Sequence, residues 1–376
     1  MKQATTLIVG ASISGLASAA CLQRKGVDYL LMEKESQIAA PWRNHYLRLH
    51  LHTNKRVSNL PYKKFNKRVP RYPGRLEVIE YLEEYCSYFN LHPLLNTAAR
   101  RIRREAGWWI TETDNETFAS RYVVMATGAF GRPKAPGFTG MNTFPGKILH
   151  SNEYRSGAEF KGREVLVVGF GNSACEIAID LYEQGAKPSM AVRSPVNIVS
   201  RDILGIPILE ISQVMNLFPP KVADMLTAPL RRLLVGDISK LGLTKMQYGP
   251  FEQIQKNGTT PVLDIGTIKH IRGGHIKIYG DIVRIDGSAV SFTDGASKPF
   301  DAIIAAIGYY RDYGEILKVD ESRFEDLRLP ASHQKYFGKD GLYFCGFWVG
   351  PTGQIHEIAS DAKMIAKDIA RKVRGV

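Results

Sequence analysis

The sequence predicts an α/β protein built from two Rossmann-like domains, each carrying a small antiparallel meander, with the second domain inserted in the first. Three observations lead there. Two glycine-rich loops, IVGASISGLASAACL and VLVVGFGNSACEIAIDL, each lie between an apolar strand pattern and a helix pattern. Each unit then closes on a buried strand that runs into a glycine, Thr127-Gly128 in one and Ile307-Gly308 in the other. The tail GLYFCGFWVGPTGQIHEIASDAKMIAKDIARKV reads as strand, Gly-rich turn and helix, and is expected to return to the first domain. The domains are accordingly expected at 1–154 with 299–376, and at 155–298. Their linkers fall near Tyr154 to Gly162 and near Lys298 to Ala306.

The first loop follows a strand from Thr6 to Val9 and carries Gly10, Ser12 and Gly15 in the key positions. The first glycine of such a loop permits a tight turn, the second lets the backbone approach a pyrophosphate, and the third packs helix on strand. The helix N-terminus, with Ser14 in its first turn, offers free N–H groups and a partial positive charge to phosphates. Ser12 stands where glycine is usual and would either push the pyrophosphate outward or hydrogen-bond to it. The next strand ends at Met32, and Glu33 follows, roughly 20 residues beyond the loop. A carboxylate there accepts from ribose hydroxyls and repels a 2′-phosphate, so this site suits FAD or NAD. In the excursion that follows, His50 and His52 alternate with Leu49 and Leu51. The H-x-H spacing is that of a metal pair, but no third ligand is evident, and the alternation predicts a half-buried strand. A hairpin, GWWITETDNETFASRYVVMATG, closes the unit on Tyr122 to Ala126.

The second loop follows Val165 to Val168. Gly169, Gly171 and Ala174 hold its positions, with Asn172 and Ser173 opening the helix. Its second strand ends at Val192, and Arg193 comes next with Ser194 beside it. An arginine there suits the 2′-phosphate of NADPH, the alternative being a solvated strand-end charge. Strands at Ile276 to Tyr279, Ile282 to Ile285 and Ala289 to Phe292 are expected to form the meander before the closing strand Ala302 to Ala306. In the tail, Gly346 lies in the turn. Ile355, Ile358, Ala362, Ile365, Ile369 and Val373 recur at helical spacing, and the N-terminus of that helix is expected to face a flavin.

The chain of 376 residues is long enough for two cores, and 44% hydrophobic with 23% charged residues is ordinary for a soluble globular protein. No run of 18 apolar residues occurs, so no membrane span is expected. The apolar stretch Thr6 to Leu22 carries the glycine loop and is read as fold, not as a signal peptide. The net charge is +13 and the pI about 9.4. Basic clusters at Lys63 to Arg71 and Arg100 to Arg104 come with no nucleic-acid-binding motif, so solvated surface and attraction for an anionic dinucleotide are expected, not nucleic acid. The apolar region 203–243, flanked by Lys and Arg, could lie on a membrane surface. The preferred reading packs it over a substrate pocket. Four separated cysteines without a C-x-x-C give dithiol chemistry no support and fit a cytoplasmic protein.

Between the two units, FPGKILHSNEY places Phe144, Gly146, His150 and Tyr154 in the pattern F-x-G-x-x-x-H-x-x-x-Y. This resembles the fingerprint of class B flavin-dependent monooxygenases, and a final Tyr is similar to the flavin-containing and N-hydroxylating branches. The same residues also fit plain packing of an interdomain linker. PWRNHYLRLHLHTNKRVSNLP, YPGRLEVIEYLEEYC, GTTPVLDIGTIKHIRGGHIKIY and FDAIIAAIGY resemble the YUCCA-type enzymes, which convert indole-3-pyruvate to indole-3-acetate. Ser12, Ile307 in place of a common threonine, and Asn54, which falls where the plant enzymes tend to differ, depart from that pattern.

The resemblance implies bound FAD, NADPH as hydride donor, O2, and a small organic substrate. The reduced flavin would form a C4a-(hydro)peroxide in an enclosed site, and no protein nucleophile is required. The substrate would be a 2-keto acid such as indole-3-pyruvate, or a compound with a soft N or S atom. Asn54 matches an asparagine placed near flavin and NADP⁺, where an amide both donates and accepts. It equally fits a turn asparagine. Trp42 either covers part of the flavin or is core. The competing functions are an NADPH oxidase or flavin reductase that releases hydrogen peroxide, and a non-catalytic flavin-binding redox protein.

Overall fold

A computed structural model of the chain describes residues 1–128, 131–310, 315–318, 337–347 and 350–375. Two compact units divide it: Met1–Asn44, Thr53–Arg132 and Tyr309–Val376 form one, His45–His52 and Pro133–Gly308 the other.

The first unit starts with β1 (Lys2–Val9), α1 (Ile13–Arg24) and β2 (Tyr29–Met32). It continues with α2 (Ala40–Arg43), α3 (Arg75–Tyr88), β3 (Arg101–Glu105), β4 (Trp108–Glu112) and β5 (Thr117–Met125). Its seven-stranded sheet runs β2-β1-β5-β4-β3 and then Leu317–Lys318, while Leu342–Phe344 also pairs with β5. β5 is long enough to serve two partners along one edge. Phe118 lies opposite Thr111 of antiparallel β4, and Val124 lies opposite Tyr343 of the parallel late strand. The meander thus peels away from the half of the sheet where the last strand slots in. Leu7 and Ile8 are buried, as a parallel strand covered on both faces requires. α1 packs with the C-terminal helix, Gln354–Val373. Ile355, Ile358, Ala362, Ile365 and Ile369 of that helix are buried. Val373, expected in the same stripe, is 49% exposed because it lies in the last turn. Trp348 and Val349 of the Gly-rich turn lie outside the described residues.

The second unit has a five-stranded parallel sheet in the order Lys277–Tyr279, Lys187–Ala191, Glu164–Val168, Ala302–Ala305, Lys147–His150. α4 (Asn172–Glu183) follows its glycine loop, and α5 (Ile208–Met215), α6 (Pro220–Val235) and α7 (Pro250–Asn257) follow in turn. Two expectations are corrected here. Lys277–Tyr279 is not a meander strand, since it pairs in parallel with Lys187–Ala191; the meander is Ile282–Asp286, Ala289–Phe292 and Ser297–Pro299. The compact units also part at Pro133 and Gly308, not at 154 and 298, because Lys147–His150 pairs with Ala302–Ala305 and both strands complete the second sheet. Among the described residues, no helix is long and apolar enough to cross a membrane.

Candidate dinucleotide-binding sites

In the first unit, register brings the carboxyl ends of four strands level. Val9 lies opposite Met32 and Met125, and Phe344 lies opposite Met125. Gly10, Glu33, Ala126 and Cys345 therefore emerge along one edge, with Gly346 next after Cys345. Gly10 has φ +103° and its N–H donates to Met32 O at 2.8 Å. A Cβ on Gly10 would lie 2.8 Å from Ala126 O, and one on Gly15 only 1.8 Å from Gly10 O. Both glycines are thus required by close backbone approach. Ser12 is the extended N-cap of α1 and makes no capping hydrogen bond with its side chain. The first turn of α1 holds no acidic residue, so nothing there repels a phosphate.

Glu33 is 6% exposed. Its Oε2 accepts from Ala11 N at 2.7 Å and its Oε1 from Glu35 N at 3.1 Å. The loop itself thus holds the carboxylate in place, and each oxygen keeps a lone pair for a ribose hydroxyl. Ser14 is buried, and a Cβ on Gly346 would lie 2.3 Å from its Oγ, so Ser14 packs beneath the edge. Gly346, at φ +80°, donates its N–H to Asp361 Oδ2 at 3.0 Å and accepts from Gln354 Nε2 at 2.8 Å. Burial pushes the Asp361 carboxyl up to about 7, despite the Gly346 N–H. Thr127 is exposed, and Gly128 follows at φ +78°.

Trp42 and Asn54 lie on the excursion. Ala39 N donates to Ala11 O at 3.3 Å, which sets the start of α2 beside the glycine loop. Trp42 is half-buried on α2, and Arg75 Nη1 holds the helix by donating to Arg43 O at 2.9 Å. Asn54 is buried at 1% exposure. Its Oδ1 accepts from Arg56 N at 2.9 Å and Val57 N at 3.2 Å, the geometry of a side chain that shapes a turn.

The second unit repeats the construction. Val168 lies opposite Ala191 and Ala305. Gly169 has φ +115°, its N–H donates to Ala191 O at 2.9 Å, and a Cβ would lie 2.7 Å from Ala306 O. Gly171 caps α4, and a Cβ there would meet open space, so the backbone is accessible to a phosphate group. Asn172 is committed inward, its Oδ1 accepting from Leu263 N at 2.8 Å. Ser173 hydrogen-bonds the Tyr46 side chain. Arg193 and Ser194 are exposed just beyond the strand end.

The fingerprint residues brace this same unit. A Cβ on Gly146 would lie 2.1 Å from Asp301 O. His150 Nε2 faces Gly308 O at 3.1 Å, and Tyr154 O–H donates to Asp180 Oδ2 at 2.5 Å.

Sequence reasoning missed one cluster. Residues 45–52, expected to run into a strand, instead form a strap on α4. Tyr46 O–H donates to Glu176 Oε2 at 2.9 Å, His52 Nε2 lies 3.2 Å from the same oxygen, and His50 N donates to Oε1 at 3.3 Å. Arg48 bonds Glu183 through Nε and Nη2 at 2.8 and 3.0 Å. Glu176 and Glu183 lie on one face of α4 and take these bonds, while Leu47 N donates to Arg155 O at 2.9 Å. Burial opposes ionisation of Glu176, but the bonds from His50, His52 and Tyr46 hold its carboxyl down at about 2. The available signal was the acidic pattern inside the otherwise apolar EIAIDLYE.

Duplicated glycine-loop edges of this kind define a nucleotide-dependent α/β oxidoreductase. A family described as pyridine nucleotide-disulphide oxidoreductase matches residues 7–203. The four cysteines are free, and Cys21, Cys175 and Cys345 are buried. The indole-3-pyruvate monooxygenase YUCCA1 of Oryza sativa subsp. japonica is 37% identical, covering 96% of this chain and 90% of that protein. The probable indole-3-pyruvate monooxygenase YUCCA3 of Arabidopsis thaliana is 36% identical, covering 97% and 86%. The flavin-containing monooxygenase of Stenotrophomonas maltophilia shares the fold with TM-score 0.72 at 19% identity, covering 99% of this chain and 100% of that one. An open structure of cyclohexanone monooxygenase gives TM-score 0.76 at 15% identity, covering 100% and 88%. The chain belongs to the YUCCA family of flavin monooxygenases. It is an oxidoreductase, and its family implies a flavin and a pyridine nucleotide.

Proposed function

We propose that the protein binds FAD on the Gly10 edge and NADPH on the Gly169 edge. It would use O2 to oxygenate a small 2-keto acid, with indole-3-pyruvate the first candidate. The observation that carries the cofactor assignment is the contrast between the two strand ends. A buried carboxylate, Glu33, follows β2, whereas an exposed guanidinium, Arg193, follows Lys187–Ala191. The carboxylate suits a free ribose diol and the guanidinium a 2′-phosphate. The substrate assignment rests on what the relatives are named for.

When bound, the nicotinamide supplies a hydride and the flavin activates O2. The chain's own residues position these groups. Gly10, Ser12 and Gly15 would seat one pyrophosphate against the N–H groups of α1, and Gly169 and Gly171 the other against α4. Asn54 would present its amide N–H to the reacting oxygen, since its carbonyl serves the turn. Trp42 would shield the flavin. Reducing surroundings, as in a cytoplasm, suit its free thiols.

The balanced reaction consumes indole-3-pyruvate, O2, NADPH and a proton, and gives indole-3-acetate, CO2, water and NADP⁺. The test is product analysis with NADPH and O2 uptake followed together. Equal consumption of indole-3-pyruvate, NADPH and O2 with indole-3-acetate formed is expected. NADPH oxidation that yields only hydrogen peroxide, with the keto acid unchanged, would overturn the reading in favour of an oxidase.

A further inference from the structure

α6 buries Ala223 and Val235 on its inward side yet also carries large apolar side chains on its outward side. Its inward face carries Asp224, whose Oδ1 and Oδ2 accept from Phe251 N at 3.0 Å and Glu252 N at 2.9 Å, capping α7. Asp224 is 7% exposed and Ala223 fully buried. This capping contact fixes which side of α6 faces the protein. The opposite side, Lys221, Met225, Pro229, Arg232 and Leu233, recurs in steps of three and four and is exposed, with Leu226 beside it. Met225 is 68% and Leu233 79% exposed. The segment leading into α6 also exposes large apolar side chains. Leu204 is 90% exposed, Leu217 83%, and Ile206, Val214 and Phe218 are exposed as well. So large a run of exposed apolar side chains marks an interaction surface.

Charge selects the partner. Between Leu204 and Val235 the exposed charged residues are Lys221 and Arg232, both basic, and they lie on the apolar stripe itself. A second copy of the chain meeting this face about a two-fold axis would set like charges against each other. An anionic lipid surface would accept the apolar side chains at the acyl boundary and pair the cations with headgroups. We propose that residues 204–233 form a docking face by which the protein lies on anionic phospholipid membranes, without crossing them.

The experiment is co-sedimentation of the full-length protein with vesicles of phosphatidylcholine alone and of phosphatidylcholine with phosphatidylglycerol. Binding to the anionic vesicles, weakened by salt, is expected. Each basic residue near such a surface is worth about fivefold in partitioning, so Lys221→Glu with Arg232→Glu should cost well over tenfold. Leu217→Asp with Leu233→Asp should abolish binding even at low salt. Both pairs sit at exposed positions away from the proposed cofactor residues, and their NADPH oxidation in vesicle-free buffer and their circular dichroism should match wild type. No binding of wild-type protein to anionic vesicles, or binding unaffected by the leucine pair, would overturn the proposal. So would sedimentation showing a wild-type dimer that the leucine pair converts to monomer, which would make the face a self-association surface.

Discussion

The hydroxyl of Tyr46 donates to Glu176 Oε2 at 2.9 Å, joining residues 130 positions apart. The pair fastens the strap 45–52, which departs from the first unit's chain, to the helix that opens the second dinucleotide edge. Breaking a buried, hydrogen-bonded charge cluster by removing one partner costs about 3–5 kcal/mol. Glu176→Ala should therefore lower the urea midpoint strongly and expose 45–52 to proteolysis, whereas Glu176→Gln, which still accepts from Tyr46, should do so less. Equal stability of wild type and Glu176→Ala would show that the strap contributes nothing.

The same cluster sets an acid dependence. Glu176 titrates at about 2 in the fold against 4.5 as its ordinary value, so its stabilisation is full above 4.5 and disappears as pH falls toward 2. His50 runs the other way. Its pKa is raised, the bond to Glu176 outweighing the burial that opposes it, so its contribution is present below 6.5 and lost as pH rises through the folded value. The stability gap between wild type and Glu176→Gln should therefore narrow from pH 4.5 downward. A gap that stays constant to pH 2 would contradict the assignment.

Asp361 should act with the opposite sign. Its carboxyl titrates at about 7 in the fold against 3.8 ordinarily, because it is buried. A folded value above the unfolded one means that stability declines as pH rises from 3.8 to 7. Asp361→Asn keeps an acceptor for Gly346 N–H and removes the ionisation. In flavin-free protein the variant should gain on wild type across that range, by up to roughly 4 kcal/mol at neutral pH. A variant no more stable than wild type at pH 7 would show that the carboxylate is compensated there.

Gly15→Ala tests the first edge directly. A Cβ 1.8 Å from Gly10 O must push the loop off the helix, so the variant should purify without flavin absorbance. Full yellow colour in Gly15→Ala would remove the Gly10 loop from the cofactor assignment.

Arg193 tests the second edge. Loss of a charge-assisted contact to phosphate costs about 1.5–3 kcal/mol, so Arg193→Ala should weaken NADPH by roughly 10- to 100-fold and NADH little. Equal losses for both nucleotides would leave Arg193 a solvated charge.

What the sequence reveals here and what it hides follow from the range of the interactions. Gly10, Gly15 and Gly169 are legible because their constraint is local, a turn followed by a helix packed on its own strand. The strap is not, since nothing within 45–52 names Glu176 as its partner, and the His-Leu alternation reads equally as a strand. Lys277–Tyr279 is misassigned for a similar reason. Three short strands in succession look like a meander, and only pairing with Lys187–Ala191 shows that the first belongs to the parallel sheet. The capping of α7 by Asp224, which turns apolar side chains outward, is likewise a long-range choice invisible in the helix's own pattern.

Asn54 is the residue proposed above to serve oxygenation, and its two ends can be tested apart. Its Oδ1 accepts from Arg56 N and Val57 N, so Asn54→Ala removes the turn as well as the amide and cannot separate the two. Asn54→Asp keeps an acceptor for both N–H groups and removes the NH2 donor. If the donor protects the reacting oxygen, Asn54→Asp should oxidise NADPH at a similar rate, because hydride transfer does not use the amide. It should nevertheless release several-fold more hydrogen peroxide per NADPH consumed, since losing a donor to a developing charge costs about 2.7–4 kcal/mol in a closed site. Asn54→Ala should show that same uncoupling together with a lower melting temperature. Unchanged peroxide release in Asn54→Asp with indole-3-pyruvate present would reduce Asn54 to its turn and leave protection of the oxygen to another group.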